Sequence, residues 1–415
     1  MLSKKGSKGT RSMTGKGQAP NKWLVVLMAN LVFIGVVGMP FTAMPVLFSS
    51  VTRELQLTLA HVGMIWGALP LGVALFSILG GLLGDRFDFR KVIGIGSFGI
   101  ALANGLRGTS GDPVTLIIFM FLCGASLSVV IPNLPKIVGL FFSQRQLGLA
   151  FGIVNSGFNI GAILATALGA TFILPLVGSW RNVLFFYSAI CIFLGIAWLL
   201  VIKREKSNQA IAGTGTTERE VPFGEALARI VRVKDLWFLV IANVGVVGSY
   251  IALMGYIPVY LESAGVLKVT GDTISSTIFM AGIIGTIVLP ALSDRIGTRK
   301  IVLIICAAVM GLSTYLLSIS GTLFFWLLIP LIGITAMGFI TLSLAIPLEM
   351  KGIGPIYGAS AVGLVVAGQN VGGFLFPIIG GNLAEINQLW PFIFWATMIF
   401  VAAIGLLLIR ETRHK

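Results

Sequence analysis

From residue 23 onward, long apolar stretches alternate with short polar breaks. Twelve stretches approach the length of about 20 residues that crosses a bilayer. They run over 23–47, 59–83, 92–108, 114–141, 148–174, 181–201, 236–260, 273–292, 301–319, 323–347, 356–381 and 389–409. None shows the period-two alternation of a β-barrel strand, so the pattern selects helices. In lipid, a helix satisfies its own backbone groups, which an open strand cannot do. The expectation is an all-α integral membrane protein with twelve transmembrane helices.

The polar breaks divide the chain. Residues 1–21 read as a disordered, basic cytoplasmic tail, and residues 203–235 form the longest internal polar segment. That segment opens as a flexible linker, KREKSNQAIAGTGTTERE, and closes with the short amphipathic stretch EALARIVRVK. It separates a first group of six spans, residues 22–202, from a second, residues 236–411.

Composition sharpens the picture. Hydrophobic residues make up 56% of the 415 and charged residues 11%. Soluble domains carry about 25% charged residues, so a soluble fold is excluded. The net charge of +14 would suggest nucleic acid, but its placement does not. With the N-terminus inside, cytoplasmic segments hold 24 of the 29 Lys and Arg residues. This bias sets a multi-pass orientation in the cytoplasmic (inner) membrane with both termini cytoplasmic, the basic excess facing anionic lipid. Arg107, at the outer end of span three, is expected at the membrane interface. Cys123, Cys191 and Cys306 all fall inside spans and read as small buried hydrophobes. No metal or cofactor is expected.

The two groups of spans repeat one design. Ala29, Asn30, Gly35, Pro45 and Val46 recur 213 positions later, and Gly152, Gly157, Asn159 and Gly161 recur 211 positions later. The charged stretch GGLLGDRFDFRK at 80–91 returns as LPALSDRIGTRK at 289–300, placing Asp294 209 positions after Asp85. Repeats of this kind mark transporters whose solute site lies between the repeats. Positive-inside flanking explains the basic residues of the motif but not an aspartate at the same place twice. An aspartate at a helix exit can face the positive N-terminus of a neighbouring helix.

The motif, the twelve spans and the duplication together resemble the major facilitator superfamily. That family carries a G-x-L-x-D-R-x-G-R/K-R/K loop after its second helix and a degenerate copy after its eighth. Gly81, Leu83, Asp85, Arg86, Arg90 and Lys91 match the first; Leu292, Asp294, Arg295, Gly297, Arg299 and Lys300 match the second. Asp88 and Phe89 depart from the pattern, so the first turn is expected to differ in shape. The resemblance implies two pseudo-symmetric six-helix bundles that rock about a central cavity. Helices two, five, eight and eleven would form the sliding interface, and Asp85, Arg86, Arg90, Asp294, Arg295 and Arg299 would form its gate. A looser likeness, carried by the N-P-x-P-like turn in span four and FFSQRQLGLAFGI, points to the cyanate-, nitrate- and organic-anion permease branches.

Polar residues at membrane depth are functional candidates by default. No Asp or Glu lies near the middle of any span, which disfavours proton coupling through a buried acid. Three roles are open to Lys136: snorkelling to the inner surface, pairing with Glu349 as a cytoplasmic gate, or binding an anionic substrate. Asn155 and Asn159 share a helix face, four residues apart. Asn159 and Asn370 are related by the repeat, with Gln369 beside the latter. Interhelical hydrogen bonding and direct solute contact are both open to them. Tyr250 and Ser126 sit mid-span as candidate cavity liners. Spans two and eight lack the internal arginines of nitrate carriers, which disfavours nitrate itself.

The favoured function is therefore a secondary active or facilitative transporter of a small polar or anionic metabolite, working by alternating access. It would bind its small-molecule solute, a coupling or counter-ion and membrane lipid, but no nucleic acid, and act as a monomer. The alternative within the same architecture is a drug or metabolite efflux antiporter, disfavoured by the missing G-P-x-x-G motif in span five. A membrane-embedded enzyme lacks a catalytic cluster: there are two histidines and no intramembrane acid.

Overall fold

The computed structural model describes residues 22–134, 144–202, 229–350 and 353–409; of Asp85 and Arg86 it describes the backbone alone. The tail 1–21, most of the linker and Lys136 lie outside the described residues. Among the described residues twelve main helices follow in order, eleven of them long and apolar enough to cross a membrane. The first six are α1 (Lys22–Leu55), α2 (Leu59–Arg86), α3 (Phe89–Gly108), α4 (Pro113–Val130), α5 (144–177) and α6 (Trp180–Val201). The second six are α7 (Lys234–Ser263), α8 (Lys268–Ile296), α9 (Arg299–Leu317), α10 (Phe325–Glu349), α11 (Gly354–Ile386) and α12 (Trp390–Leu407).

Helix starts follow local chemistry. Thr58 and His61 form a capping box at α2, with the Thr58 hydroxyl accepting from the His61 N–H at 3.3 Å. Asp112 caps α4 by accepting from the Val114 and Thr115 N–H groups at 2.9 and 3.0 Å. The Thr115 backbone bond comes first among the contacts that hold the Asp112 carboxyl below its usual range. Many helices overrun their apolar cores. At about 1.5 Å per residue, the 28 residues of α2 span roughly 42 Å, more than the hydrocarbon thickness. The span expected to run to residue 141 is broken rather than continuous: α4 ends at Val130, turns at Ile131 and Pro132 and resumes as helix at Asn133 and Leu134, with 135–143 outside the described residues. Proline there removes an N–H that the helix would need.

Two helices are locally underwound. Phe33–Gly38 in α1 and Leu164–Ile173 in α5 are π-helical. Such bulges are rare and recur at functional sites.

The helices form two bundles, α1–α6 and α7–α12, held internally by close helix pairs. Within the first, α2 lies against α4: a Cβ on Gly72 would fall 2.2 Å from the Phe121 carbonyl oxygen, and one on Gly80 2.1 Å from that of Ser128. Within the second, Gly285 and Gly333 bring α8 and α10 equally close. Small residues of this kind let membrane helices approach.

The two copies of the charged motif make different turns. In the first, Phe87 is extended and Asp88 caps α3, accepting from the Arg90 N–H at 2.9 Å. In the second, Gly297 stands at the matching position with φ +81 and closes α8 by a left-handed cap. Aspartate in place of glycine thus moves the ordering device from the end of one helix to the start of the next.

Candidate solute-binding site and gate

The two bundles meet along α2 with α11 and α5 with α8, the pairs that the resemblance implied. Call the end of the molecule carrying the turns at Phe87–Asp88 and Gly297 the motif face, and the opposite end the far face. Among the described residues, the polar contacts that join the bundles all lie in the far half. The Ala60 N–H donates to Glu385 Oε1 at 3.0 Å. The Trp66 indole N–H donates to the Ile251 carbonyl at 2.7 Å. Thr171 Oγ1 donates to Asp272 Oδ2 at 3.1 Å. Lys268 Nζ donates to the Val46 carbonyl at 3.1 Å and to Ser49 Oγ at 2.8 Å, and Arg53 and Glu262 pair at 3.7 Å.

Packing reinforces this closure. A Cβ on Gly63 would fall 2.2 Å from the Pro377 carbonyl oxygen, one on Gly67 2.6 Å from that of Phe374, and one on Gly381 2.5 Å from that of Leu59. Trp66, almost fully buried, makes edge contacts with Phe41 and Phe48 at 5.8 and 6.4 Å. A small cleft lined by Trp66, Gly255, Tyr256, Pro377 and Trp395 remains between α2, α7, α11 and α12. Towards the motif face, Leu75, Ile78 and Leu79 of α2 and Ile284, Ile287 and Val288 of α8 are exposed on the protein surface.

The described contacts of Arg90, Arg299 and Lys300 fall within their own bundles. Arg90 donates from Nε to the Leu199 carbonyl at 3.1 Å, while the Trp198 indole donates to the Arg90 carbonyl at 3.1 Å. Arg90 thereby caps the end of α6, where a cation meets unsatisfied carbonyls. In the second bundle Lys300 plays that part, donating to the Leu407 and Ile409 carbonyls at 2.7 Å each. Arg299 instead donates to Glu349 Oε1 at 2.6 Å and stands 3.9 Å from Asp294 Oδ1. Asp294 is largely exposed, so its share is weak; the better-buried Arg299–Glu349 contact is the stronger. Arg295 is exposed. The Lys136 half of the expected Lys136–Glu349 pair lies outside the described residues.

The candidate solute ligands fall into three groups. Gln369 belongs to a polar knot: its Nε2 donates to Asn243 Oδ1 at 2.8 Å, and Ser343 Oγ donates to the same oxygen at 3.0 Å. This joins α7, α10 and α11. Asn30, the repeat partner of Asn243, ties α1 to α5 by donating to the Ile153 carbonyl at 2.5 Å. Asn159, Asn155 and Tyr250 stand nearer the bundle contact. Asn159 is buried, its Oδ1 has no hydrogen-bond donor, and it faces Gly282 of α8. Asn155 is half-buried one turn earlier on α5. The Tyr250 hydroxyl is buried without a partner. Asn370 donates to the Val366 carbonyl of its own helix. Ser126 packs its hydroxyl towards Gly99 of α3, inside the first bundle.

Arg107 departs from expectation. It is fully buried rather than interfacial, because Gly108 packs against Phe185 of α6 and closes α3 onto the bundle. Its Nη1 donates to the Pro40 carbonyl at 3.1 Å and to Cys123 Sγ at 3.2 Å. Asn104, one turn earlier and also fully buried, went unnoticed in the sequence.

Apolar helices in two repeated bundles, with the described polar contacts between the bundles gathered at the far face, are the architecture of a membrane carrier. The sequence matches the profile of the Major Facilitator Superfamily over residues 26–355, and the chain belongs to that family. Its relatives include a gallate transporter of Pseudomonas putida, 23% identical over 94% of this chain and 92% of its own. A probable sulfoacetate transporter of Cupriavidus necator is 22% identical over 86% of this chain and 87% of its own. Among solved structures, the nucleoside transporter NupG superposes with a TM-score of 0.77 at 16% identity, over 94% of this chain and all of that one. An inward-facing, unoccupied bacterial homologue of Spinster gives 0.68 at 14% identity, over 96% and 100%.

Proposed function

We propose that the protein carries a small organic anion across the cytoplasmic membrane by alternating access. The observation that supports this most is the one-sided clasp: every described polar contact between the bundles lies in the far half. In this reading the motif face is cytoplasmic, as the Lys and Arg distribution favours, and the structure is the inward-open state. Relatives named for gallate and sulfoacetate carry the substrate class; both compounds are anions at neutral pH.

The solute sits between the bundles, where Asn159 Oδ1 and the Tyr250 hydroxyl are buried polar atoms awaiting partners. Asn155, Gln369 and Asn370 line or brace this region, and Ser126 of α4, turned towards Gly99 of α3, supports it from within the first bundle. On the cytoplasmic side, Asp85 and Asp294 with Arg86, Arg90, Arg295 and Arg299 hold the closed gate of the opposite state. Glu349 joins them through Arg299, with Lys136 as its further partner. The chain works as a monomer, driven by its solute gradient or by a coupled ion.

Counterflow in sealed proteoliposomes tests this. Radiolabelled gallate and sulfoacetate, with further carboxylates and sulfonates, are expected to exchange against internal unlabelled anion. Exchange of neutral solutes alone would overturn the anion reading, and absence of any exchange would overturn carriage itself.

A further inference from the structure

Arg107 is the one basic side chain fully buried among the described residues, and no described carboxylate pairs with it. An isolated buried charge is strongly disfavoured unless something neutralises it. The acids at this end of the bundle are committed elsewhere. Glu54 accepts from the Trp180 indole at 2.5 Å and pairs with Arg181, while Asp112 caps α4.

The guanidinium is used on one side only. Nη1 makes both contacts, to Pro40 and Cys123, whereas Nε and Nη2 have no partner. Nε–H and Nη2–H point the same way and form the side-on fork that fits two oxygens of a planar anion. Both amide atoms of Asn104 are likewise buried, with the Cys191 thiol as their one near neighbour of hydrogen-bonding type and no bond of standard geometry. Two thiols lie nearby: Cys123 of α4 on the Nη1 side and Cys191 of α6, which donates to the Gly35 carbonyl at 3.4 Å.

We propose that Arg107 and Asn104 form a binding site for a planar oxyanion, a carboxylate or a group of like shape, held side-on by the guanidinium fork. The site rests on the anion-carrier reading above and names the residues that would anchor the charged end of the solute. It is sealed in this state, and α1 is the element that opens it. The carbonyl that Arg107 holds belongs to Pro40, two residues beyond the π-helical Phe33–Gly38. Rewinding that π segment as α-helix shifts the carbonyls of α1 past Arg107 and gives a path from between the bundles.

The test is thermal unfolding of the full chain in nanodiscs with sodium formate, nitrate, benzoate or chloride at equal ionic strength. The three oxyanions are expected to raise Tm saturably, and chloride not to. R107K keeps the charge but loses the fork, so its apparent affinity should fall at least about ten-fold. N104D supplies an internal carboxylate one turn from Arg107. It is expected to abolish the response while keeping or raising Tm in chloride, and it decides the matter if R107K does not fold. A response to benzoate alone supports the site and assigns it to the solute's own carboxylate; a response to formate and nitrate as well supports a free-anion subsite. No oxyanion response in the wild type, an equal response to chloride, or wild-type behaviour in both variants would overturn it. Counterflow of neutral solutes alone, with the oxyanion response intact, would retire the anion-carrier reading and leave this site standing.

Discussion

At the scale of single residues, the membrane interior makes each polar group either a tie between helices or a candidate ligand. Asn243 is a tie. Its one oxygen serves both Gln369 and Ser343, so Asn243→Leu leaves the buried Gln369 amide without its acceptor, while the Ser343 hydroxyl keeps the Ile340 carbonyl. A loss of about 1–2 kcal/mol is expected, read as a lowered Tm in nanodiscs, with solute affinity changed less than stability. Trp66→Phe removes the indole bond to the Ile251 carbonyl while keeping an aromatic ring against Phe41. That bond is worth about 1 kcal/mol, so the far face should open several-fold more often, measured as faster labelling of a cysteine placed there. Some of this was legible in the sequence. The repeat pairs Asn30 with Asn243, and both prove to bridge helices. Arg107 was not legible. Its closeness to a loop suggested the interface, and only the packing of Gly108 on Phe185 shows it covered.

At the scale of elements, the apolar runs revealed which segments are helices but not where they stop. The helix α11 continues through Asn382 and Glu385 because those residues find partners, the Ile378 carbonyl and the Ala60 N–H, beyond the apolar stretch. The π segments of α1 and α5 left no mark that hydropathy could detect, since an i→i+5 bond asks for no particular residue. The motif turns were half legible: Asp88 signalled a different shape, and the structure shows that shape to be an N-cap. Asp88→Ala should cost about 1 kcal/mol through the lost cap. Gly297→Ala should cost about 1–2 kcal/mol by forcing a Cβ into a left-handed backbone. Asp88→Gly and Gly297→Asn should be milder, and thermal unfolding of the four variants side by side checks the order.

At the scale of the whole molecule, alternating access requires a second state in which the far-face clasp between the bundles is released. The present state rests on glycines: Gly63, Gly67 and Gly381 let α2 and α11 touch backbone to backbone. A leucine at Gly67 meets the Phe374 backbone rather than a movable side chain, so the far face cannot close around it. Paired spin labels read this directly, one pair at the exposed far-face positions Leu176 and Leu267 and another at Phe87 and Ile296 on the motif face. In nanodiscs, Gly67→Leu is expected to lengthen the far-face distance and shorten the motif-face distance relative to the unsubstituted protein. Distances that lengthen together, or that stay fixed at both faces, would contradict the exchange of open faces on which carriage depends.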